Sequence, residues 1–310
     1  SGVLSQVKKS CNEIEDICNG IFLLGELTER SKDRIASYGE WISSQIITAK
    51  FNAEGIAATW KDSRELIITN SVFTAAEVDF ALTNKKVNDF FASADADIFI
   101  LPGFIASDKN NVTTTLGRGG SDYTAAIIAS AVNASVLEIW TDVSGMMTAD
   151  PRLTSNARII PNISYQEAME LSHFGAKVIY PPTIQPVMNK KIPVWIKNTF
   201  APGDYGTVIQ NGNDANSLPD GWDGENIVRG ISSINNIALI SLEGSGMVGI
   251  PGFSKRLFEA LSSEKINVIM ITQSSSEHSI CVGIDSGSAD RAKMAVDAAF
   301  ANEIALQKVD

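Results

Sequence analysis

The sequence predicts an α/β protein in which a mostly parallel sheet lies between layers of helices and a smaller ferredoxin-like unit follows. Over about the first 200 residues, helical patterns alternate with short, uninterrupted apolar runs, which is typical of parallel sheets that helices cover on both faces. After about residue 237 the order becomes β-α-β-β-α-β, the order of a ferredoxin-like unit. Between the two parts, residues 201–226 are more than half Gly, Pro, Asn and Asp, a composition that favours a domain boundary.

The first part alternates helices with strands. The spacing of apolar residues predicts helices at 35–51 and 76–94, and apolar runs predict strands at 97–105, 136–142 and 192–198. Ligands of such sheets bind beyond the carboxyl ends of the strands. We therefore expect functional residues in the loops that follow these strands.

The second part has shorter elements. The same reasoning predicts strands at 237–244, 266–274, 278–285 and 305–310, with helices at 252–265 and 289–301. We expect a large domain over residues 1–209, a linker over 210–227 and a small domain over 228–310.

Composition restricts the class of protein. The chain has 310 residues, 44% of them hydrophobic and 20% charged, with a formal net charge of −11. These values are typical of a soluble globular protein, and the negative charge argues against nucleic acid as the main partner. No apolar stretch is long enough to span a membrane, and the first residues lack a secretory pattern. We expect a cytoplasmic protein that binds neither membrane nor nucleic acid.

Cysteine and histidine give no sign of a metal site or a disulfide framework. The cysteines are Cys11, Cys18 and Cys281, and the histidines are His173 and His278. Their number and spacing fit neither a structural zinc site nor a set of disulfides. Because Cys11 and Cys18 lie seven residues apart on one face of a helical pattern, we expect both to be buried.

The segment TTTLGRGGSDYTAA, residues 113–126, is the strongest functional signal. Its glycines can bring backbone N–H groups close to a ligand, and the following helix adds unpaired N–H groups and its positive dipole end. Such a loop can bind an anion, or it can be an ordinary tight loop with Ser121 or Asp122 as the helix N-cap. Arg118 favours binding, because a guanidinium can hold a carboxylate or phosphate through two hydrogen bonds.

Two further segments carry polar residues after predicted elements. In WTDVSGMMTADPR, residues 140–152, Thr141 and Asp142 end a strand, and Arg152 could reach phosphates or simply form a turn. In SYQEAMELSHFGAKVIYPP, Ser164 and Glu167 predict a capping box at a helix start. Neither a P-loop nor the protein-kinase motif set occurs in the sequence.

Three segments together resemble the aspartate kinases of the amino acid kinase superfamily. They are GFIASDKNNVTTTLGRGGSDYTAA, EIWTDVSGMMTADPR and YQEAMELSHFGAKVIYPPT, in this order. The resemblance extends from about Leu23 to the C terminus, and the second part resembles the ACT regulatory module. INVIMITQSSSEHSI is most similar to the bifunctional aspartokinase–homoserine dehydrogenases, which respond to threonine.

The resemblance implies an amino acid kinase or carbamate kinase-like fold and transfer of the γ-phosphoryl group of ATP, with Mg²⁺, to the side-chain carboxylate of L-aspartate. The product would be 4-phospho-L-aspartate, the first intermediate on the route to Lys, Thr, Met and Ile. Residues that match the family's catalytic positions are Arg118, Ser121 and Asp122. Residues that match its aspartate pocket are Glu40, which would receive the ammonium group, Phe104, Arg118, Gly119, Gly120 and Ser121. Residues that match its ATP site are Thr141, Asp142, Met147, Arg152, Lys177 and Val178, and those assigned to an effector are Asn267 and Gln273.

Two departures from the family pattern carry expectations of their own. Met147 stands where relatives often have an aromatic residue near adenine. The family's Lys-Phe-Gly-Gly-Thr-Ser loop does not occur among these residues, so we expect a fragment of a longer enzyme with little or no kinase activity.

Alternative functions remain open at this point. The chain could be an amino-acid sensor without catalysis, or a related kinase acting on glutamate or acetylglutamate, since Glu40 and Arg118 suit any amino dicarboxylate. Gln273 could bind an effector or simply end a strand. Because ACT modules usually pair through their edge strands, we expect a homodimer or a larger homo-oligomer.

Overall fold

The computed structural model describes residues 2–173, 178–212, 228–274 and 278–310. The chain divides into two compact units, Ser1–Ser232 and Ser233–Asp310. Most of the expected linker, together with Lys177, lies outside the described residues. Among the helices that are described, none has both the length and the apolar composition that a membrane span requires.

The first unit contains six α-helices and nine strands among its described residues. The helices are α1 (Gly2–Leu24), α2 (Glu29–Ala53), α3 (Phe80–Ser93), α4 (Gly120–Ala131), α5 (Tyr165–His173) and α6 (Gln185–Asn189). The strands are β1 (Thr59–Trp60), β2 (Ile68–Thr69), β3 (Phe99–Ile100), β4 (Ile105–Asp108), β5 (Thr113–Thr115), β6 (Leu137–Thr141), β7 (Asn162–Ser164), β8 (Val194–Asn198) and β9 (Thr207–Gln210). Short 3-10 helices occur at Ser63–Glu65 and Pro181–Ile184.

Parallel pairing predominates among these strands, as the sequence predicts. β1 pairs with β3, β2 with β4, β6 with β8 and β7 with β9 in parallel, whereas β4–β5 and β8–β9 are antiparallel. The strands form three short sheets instead of one continuous sheet, with β6-β8-β9-β7 the widest.

The single strand expected at 97–105 is wrong, because the chain bends between β3 and β4. Pro102 has no N–H group to donate to a strand ladder. Phe104 then adopts a left-handed backbone with φ of 69°, and Ile105 N–H bonds back to the Gly103 carbonyl at 2.8 Å. The bend, 101–104, projects toward the start of α4.

Helix α4 lies at the centre of this unit. Ala126 and Ala129 pack in the core under β6 and β8, whereas Ile127 and Ala131 pack in a second core with Ala106 of β4. Because residues 132–136 alone link α4 to β6, the helix start lies toward the carboxyl end of β6. The glycine loop and the β6 loop therefore face the same side of the fold.

The expected burial of Cys11 and Cys18 is wrong, since both are exposed on α1. Ser10 is the residue of α1 that is buried. The helix therefore packs through a neighbouring face and leaves the cysteines toward solvent.

The second unit has the expected β-α-β-β-α order, with a difference at its end. Its elements are β10 (Ile237–Glu243), α7 (Phe253–Ser263), β11 (Val268–Gln273), β12 (Ser279–Asp285), α8 (Ala289–Ala299) and α9 (Ala301–Ala305). The strands form an antiparallel sheet in the order β10-β12-β11. Leu257 and Leu261 of α7 pack with Val282, Ile284 and Val296 in its core.

The strand expected at 305–310 does not form. Ala305 ends α9, and the chain reverses at Gln307, whose φ is 53°. Beyond this turn, Asp310 exchanges two backbone hydrogen bonds with Glu243, at 2.7 and 3.0 Å, and the Lys308 carbonyl accepts from Gly246 N–H at 3.0 Å.

Candidate functional site

The glycine loop ends where α4 begins, and glycines occupy that junction. Gly119 is the N-cap with φ of 69°, and no side chain caps the helix. The expectation that Ser121 or Asp122 might be the N-cap is therefore wrong. Since the first N–H groups of a helix lack intrahelical acceptors, this uncapped start can accept an anion.

Gly119 and Gly120 allow two other segments to lie directly against this junction. A Cβ atom on Gly120 would lie 2.7 Å from Cδ2 of Phe104, and one on Gly119 would lie 2.9 Å from atoms of both Tyr180 and Thr183. The bend that carries Phe104 thus contacts one side of the junction. The 3-10 turn that begins after Tyr180 contacts the other.

Hydrogen bonds hold Phe104 in its left-handed conformation, which is rare for a bulky residue. Its N–H donates to Thr124 Oγ1 at 3.0 Å, and that hydroxyl donates to the Gly120 carbonyl at 2.8 Å. The Phe104 carbonyl accepts from Leu116 N–H at 2.9 Å. Strained residues held in this way are often functional, which agrees with the assignment of Phe104 to a substrate pocket.

Arg118 and Asp122 are the charged groups of this junction. Arg118 is exposed, stacks on the Tyr180 ring at 5.5 Å and forms no ion pair within the described part of the chain. Burial raises the pKa of the Asp122 carboxyl, because desolvation disfavours the charged form. Ser121, between them, is exposed. An exposed guanidinium and a half-buried carboxylate therefore lie four residues apart in the chain, on either side of the start of α4.

Asp33 is a residue that the sequence reasoning missed. Its side chain is 2% exposed, and it accepts hydrogen bonds from Thr74 N–H at 2.9 and 3.0 Å. It also accepts from Thr115 N–H at 3.0 Å and Thr115 Oγ1 at 2.7 Å. Thr115 comes just before the glycine loop, and the carbonyl of Thr74, whose φ is 70°, lies beside Gly117. Asp33 therefore fixes both segments that lead to the loop.

A row of polar residues on one face of α2 is the sequence feature that could have identified Asp33. Ser37, Ser44 and Thr48 follow it at helical spacing, and all are buried, although buried helix faces are normally apolar. Glu40 lies on the same face, two turns beyond Asp33 and half-buried, with no ion pair in the described chain. A stripe of buried polar residues can thus indicate a site that residue-type motifs do not show.

The loops after β6 and β8 are tied together at the same sheet edge. Thr141 and Asp142 end β6, where the Thr141 hydroxyl donates to the Asp142 carboxylate at 3.2 Å. Ser144 Oγ accepts from Asn198 Nδ2 at 2.9 Å and donates to Asp204 at 2.6 Å. Asp142 and Asp204 are exposed, whereas Thr141, Ser144 and Asn198 are half-buried, and the hydrogen bonds of Ser144 connect the two loops across the edge.

A short hairpin extends from this edge. Met147 is half-buried and bridges Ile159, and Thr148 N–H bonds the Arg158 carbonyl at 2.8 Å. Arg152, near the hairpin tip, has a side chain that is 83% exposed, and it pairs with Asp150 at 2.7 Å. Hydrogen bonds from Arg152 hold the pKa of the Asp150 carboxyl below its usual value. Arg152 is thus accessible but already shares its charge with a carboxylate.

Of the two remaining nucleotide candidates, only Val178 is among the described residues. Val178 packs against the larger core, two residues before Tyr180. Lys177 lies outside the described residues. Val178 therefore lies two residues from Tyr180, on whose ring Arg118 stacks. The other described candidates lie on the β6 edge and its hairpin.

In the second unit, Gln273 lines a cavity and Asn267 does not. The cavity has a volume of about 340 Å³, and its wall includes Gly252, Phe253 and Ser254 at the start of α7. Gln273 is the last residue of β11 and reaches this wall from the sheet. Asn267 is exposed, just before β11.

Comparisons with known proteins match both units. A model of the amino acid kinase family matches residues 5–198, and a model of an ACT domain matches residues 240–300. The chain is 37% identical over 306 residues to bifunctional aspartokinase/homoserine dehydrogenase 1 of Arabidopsis thaliana, covering 98% of this chain and 33% of that protein. It is 34% identical over 279 residues to lysine-sensitive aspartokinase 3 of Escherichia coli, covering 88% of this chain and 60% of that protein.

A solved structure gives the same result. E. coli aspartokinase III in complex with aspartate and ADP superposes with a TM-score of 0.76 at 31% identity, covering 91% of this chain and 61% of that one. The chain spans about a third of the length of the bifunctional relatives it matches. Because the family model covers more than half of the chain and this fold agrees with it, the chain belongs to the amino acid kinase family.

Proposed function

We propose that this chain forms the aspartate- and ATP-binding site of an aspartate kinase, which transfers the γ-phosphoryl group of ATP to the side-chain carboxylate of L-aspartate. The observation that carries the proposal is the uncapped start of α4, where Gly119 and Gly120 lie against Phe104 and Tyr180 while Arg118 remains exposed. This arrangement offers backbone N–H groups and a guanidinium to one small acidic ligand. Relatives named as aspartokinases support the same substrate.

On the amino-acid side, we infer the roles of the residues from their charges. Arg118 holds a carboxylate of L-aspartate, since guanidinium–carboxylate pairs can be bidentate. Glu40 accepts the ammonium group, and Phe104 with Gly119 and Gly120 forms the wall. Ser121 and Asp122 line the pocket beside the reacting carboxylate.

On the nucleotide side, we infer the roles of the residues from where they lie relative to the end of β6. Thr141 and Asp142 offer hydrogen-bond partners at the carboxyl end of β6, where nucleotides bind in such sheets. Met147 packs near the base, and Arg152, Lys177 and Val178 complete the ATP site. Phosphoryl transfer asks the protein mainly for positioning and charge neutralisation. Mg²⁺, when bound, supplies part of that neutralisation, and the half-buried Asp122 carboxylate has the ligand chemistry it prefers.

The second unit is proposed to bind a regulatory amino acid. Gln273 lines a cavity of about 340 Å³ beside the start of α7, a size that suits one amino acid. Among the possible effectors we favour threonine over lysine, because of the likeness of 266–280 to bifunctional enzymes. Asn267 remains an effector candidate that lies outside this cavity.

A homodimer and a cytoplasmic location also belong to this proposal. β11 is an edge strand of its sheet within the described residues, and it exposes Met270 and Ile271, at 44% and 58%. Exposed apolar edges favour pairing with another strand. A second copy of this chain, paired through β11, would cover them.

Calorimetry of this chain tests the proposal. We expect L-aspartate to bind, L-glutamate to bind less tightly, and ATP with Mg²⁺ to bind at a separate site. Arg118→Gln should weaken L-aspartate binding at least tenfold, because an exposed ion-pair partner is lost, while Arg158→Gln on the hairpin should leave it unchanged. Heat with threonine alone, and none with L-aspartate or ATP, would favour the sensor function instead.

A further inference from the structure

A cavity of about 530 Å³ lies between α1, α2 and the turn that joins β4 to β5. Among the described residues, none of those assigned above to aspartate, nucleotide or effector lines it. Its wall includes Lys9 and Glu13 of α1, Arg30 and Arg34 of α2, and Arg64. The cavity is therefore separate in its residues from the proposed kinase site.

The charge on this wall is strongly unbalanced. Arg64 is neutralised by Asp62, whose carboxylate it contacts at 2.6 Å. Lys9 approaches Glu13 at 3.9 Å, and Glu13 also accepts a hydrogen bond from Tyr38 at 2.6 Å. With these groups paired, two guanidinium groups of the wall have no carboxylate within ion-pair distance among the described residues.

Arg30 and Arg34 are these two groups. Within the described residues neither forms an ion pair, although the chain as a whole carries a net charge of −11. Arg34 approaches the Tyr38 hydroxyl, which is itself turned toward Glu13. Two such guanidinium groups on one cavity wall create a local positive potential, which attracts a dianion although the protein as a whole is acidic.

Their spacing favours a compact dianion over an extended one. Residues four apart on a helix lie on one face, with Cβ atoms about 6 Å apart, so both guanidinium groups can reach a single tetrahedral group. Arg30 is also the second residue of α2, where the helix dipole already adds positive potential. A dicarboxylate holds its two charges on separate carbons, so each guanidinium group would meet one carboxylate instead of both meeting the same charged group.

We propose that this cavity binds a phosphate dianion, free or as the monoester of a small metabolite, between the Arg30 and Arg34 side chains. A phosphate monoester carries a charge of about −1.5 to −2 at neutral pH, which matches the two uncompensated cations. Tyr38 and Ser37 line the same wall, but their hydroxyl groups already donate to Glu13 and to the Arg34 carbonyl, so the donors proposed for the ligand are the two guanidinium groups. This inference is independent of the proposed kinase function.

Calorimetry with inorganic phosphate and with glycerol 3-phosphate tests this site and distinguishes the free ion from the ester. We expect the wild-type chain to bind at least one of them in the millimolar range or tighter, and succinate more weakly. Arg30→Gln with Arg34→Gln should weaken binding at least tenfold. Lys50→Gln with Arg291→Gln removes the same charge from exposed positions elsewhere and should change binding less than twofold.

Arg118→Gln separates this cavity from the glycine loop. Phosphate binding should persist in that variant, since Arg118 does not line the cavity. Loss of binding in Arg118→Gln, equal binding in the Arg30–Arg34 double variant, or no binding of either probe by the wild-type chain would overturn the proposal. Circular dichroism should show unchanged helix content, because Arg30 and Arg34 are exposed.

Discussion

The two sides of the proposed kinase site are built differently. At the start of α4, buried groups and strained backbone fix the site: Asp33 is 2% exposed, and Phe104 and Thr74 have left-handed φ angles of 69° and 70°. At the β6–β8 edge, half-buried or exposed side chains such as Ser144 and Asp204 connect the loops. The amino-acid side of the proposed site is therefore preorganised, whereas the nucleotide side depends on side-chain hydrogen bonds that water can replace.

Replacing Asp33 should have the largest effect. Asp33→Ala leaves the Thr74 and Thr115 N–H groups and the Thr115 hydroxyl without their acceptor, and it should cost about 3 kcal/mol or more in the free energy of unfolding. Urea unfolding measures this loss. Asp16→Ala, an exposed position on α1, should stay within about 0.5 kcal/mol of wild type. Equal stability of the two variants would mean that Asp33 does not fix the loop.

A Cβ atom at Gly120 should have the next largest effect. Because it would lie 2.7 Å from the Phe104 ring, Gly120→Ala should cost about 1–3 kcal/mol through overpacking and weaken L-aspartate binding. Thermal unfolding and calorimetry measure the two effects. Gly20→Ala in α1 meets nothing within 4 Å and should stabilise the helix by up to about 1 kcal/mol. We expect Gly120→Ala to lower the free energy of unfolding and Gly20→Ala to raise it. A change in the same direction for both variants would contradict the close contact between Gly120 and Phe104.

On the nucleotide side, the effect of a single side chain should be smaller. Ser144→Ala removes the hydroxyl that links Asn198 with Asp204, and it should cost about 1 kcal/mol or less, because exposed hydrogen bonds are replaced by water. ATP affinity should fall more than L-aspartate affinity. Calorimetry with each ligand measures the difference. An equal fall in both affinities would argue against separate binding regions for ATP and L-aspartate.

Asp122 should show the smallest effect on stability, with a dependence on pH. Its carboxyl pKa is raised in the folded state by burial, so the folded protein holds this proton more tightly than the unfolded chain does. Stability should therefore fall as the pH rises from the unfolded pKa, about 3.9, through the folded pKa. Asp122→Asn should give a small gain in stability at pH 7 that disappears below pH about 4. Denaturant unfolding at both pH values checks this, and an equal gain at both would contradict it.

The sequence predicted most elements because their signals are local. The apolar runs of β6, β8, β10 and β12 and the capping box at Ser164, where Glu167 accepts from Ser164 N–H at 2.9 Å, all depend on nearby residues. The bend at Pro102–Phe104 and the turn at Gln307 were missed, because tertiary contacts at Thr124 and Glu243 decide them. The exposure of Cys11 and Cys18 was missed for the same reason, since helical periodicity does not say which face of a helix packs against the rest of the protein.

The candidate site was predictable as far as its motifs extend. Gly120 lies against Phe104, and Arg118 stacks on Tyr180, so two of the segments that carry the family resemblance meet at the start of α4. Asp33 was not predictable from residue type, because its importance depends on Thr74 and Thr115, which lie 41 and 82 residues away in the chain. The assigned binding roles remain proposals for these residues.

Amide hydrogen exchange at residues 116–122, with and without L-aspartate, tests whether the amino acid binds at the start of α4. If these amides and the Arg118 guanidinium bind the amino acid, L-aspartate should slow exchange of the Ser121 and Asp122 amides in the wild-type chain, and Arg118→Gln should abolish the slowing. Unchanged exchange at these amides, under conditions where calorimetry detects L-aspartate binding, would contradict the claim, because the ligand would then lie elsewhere.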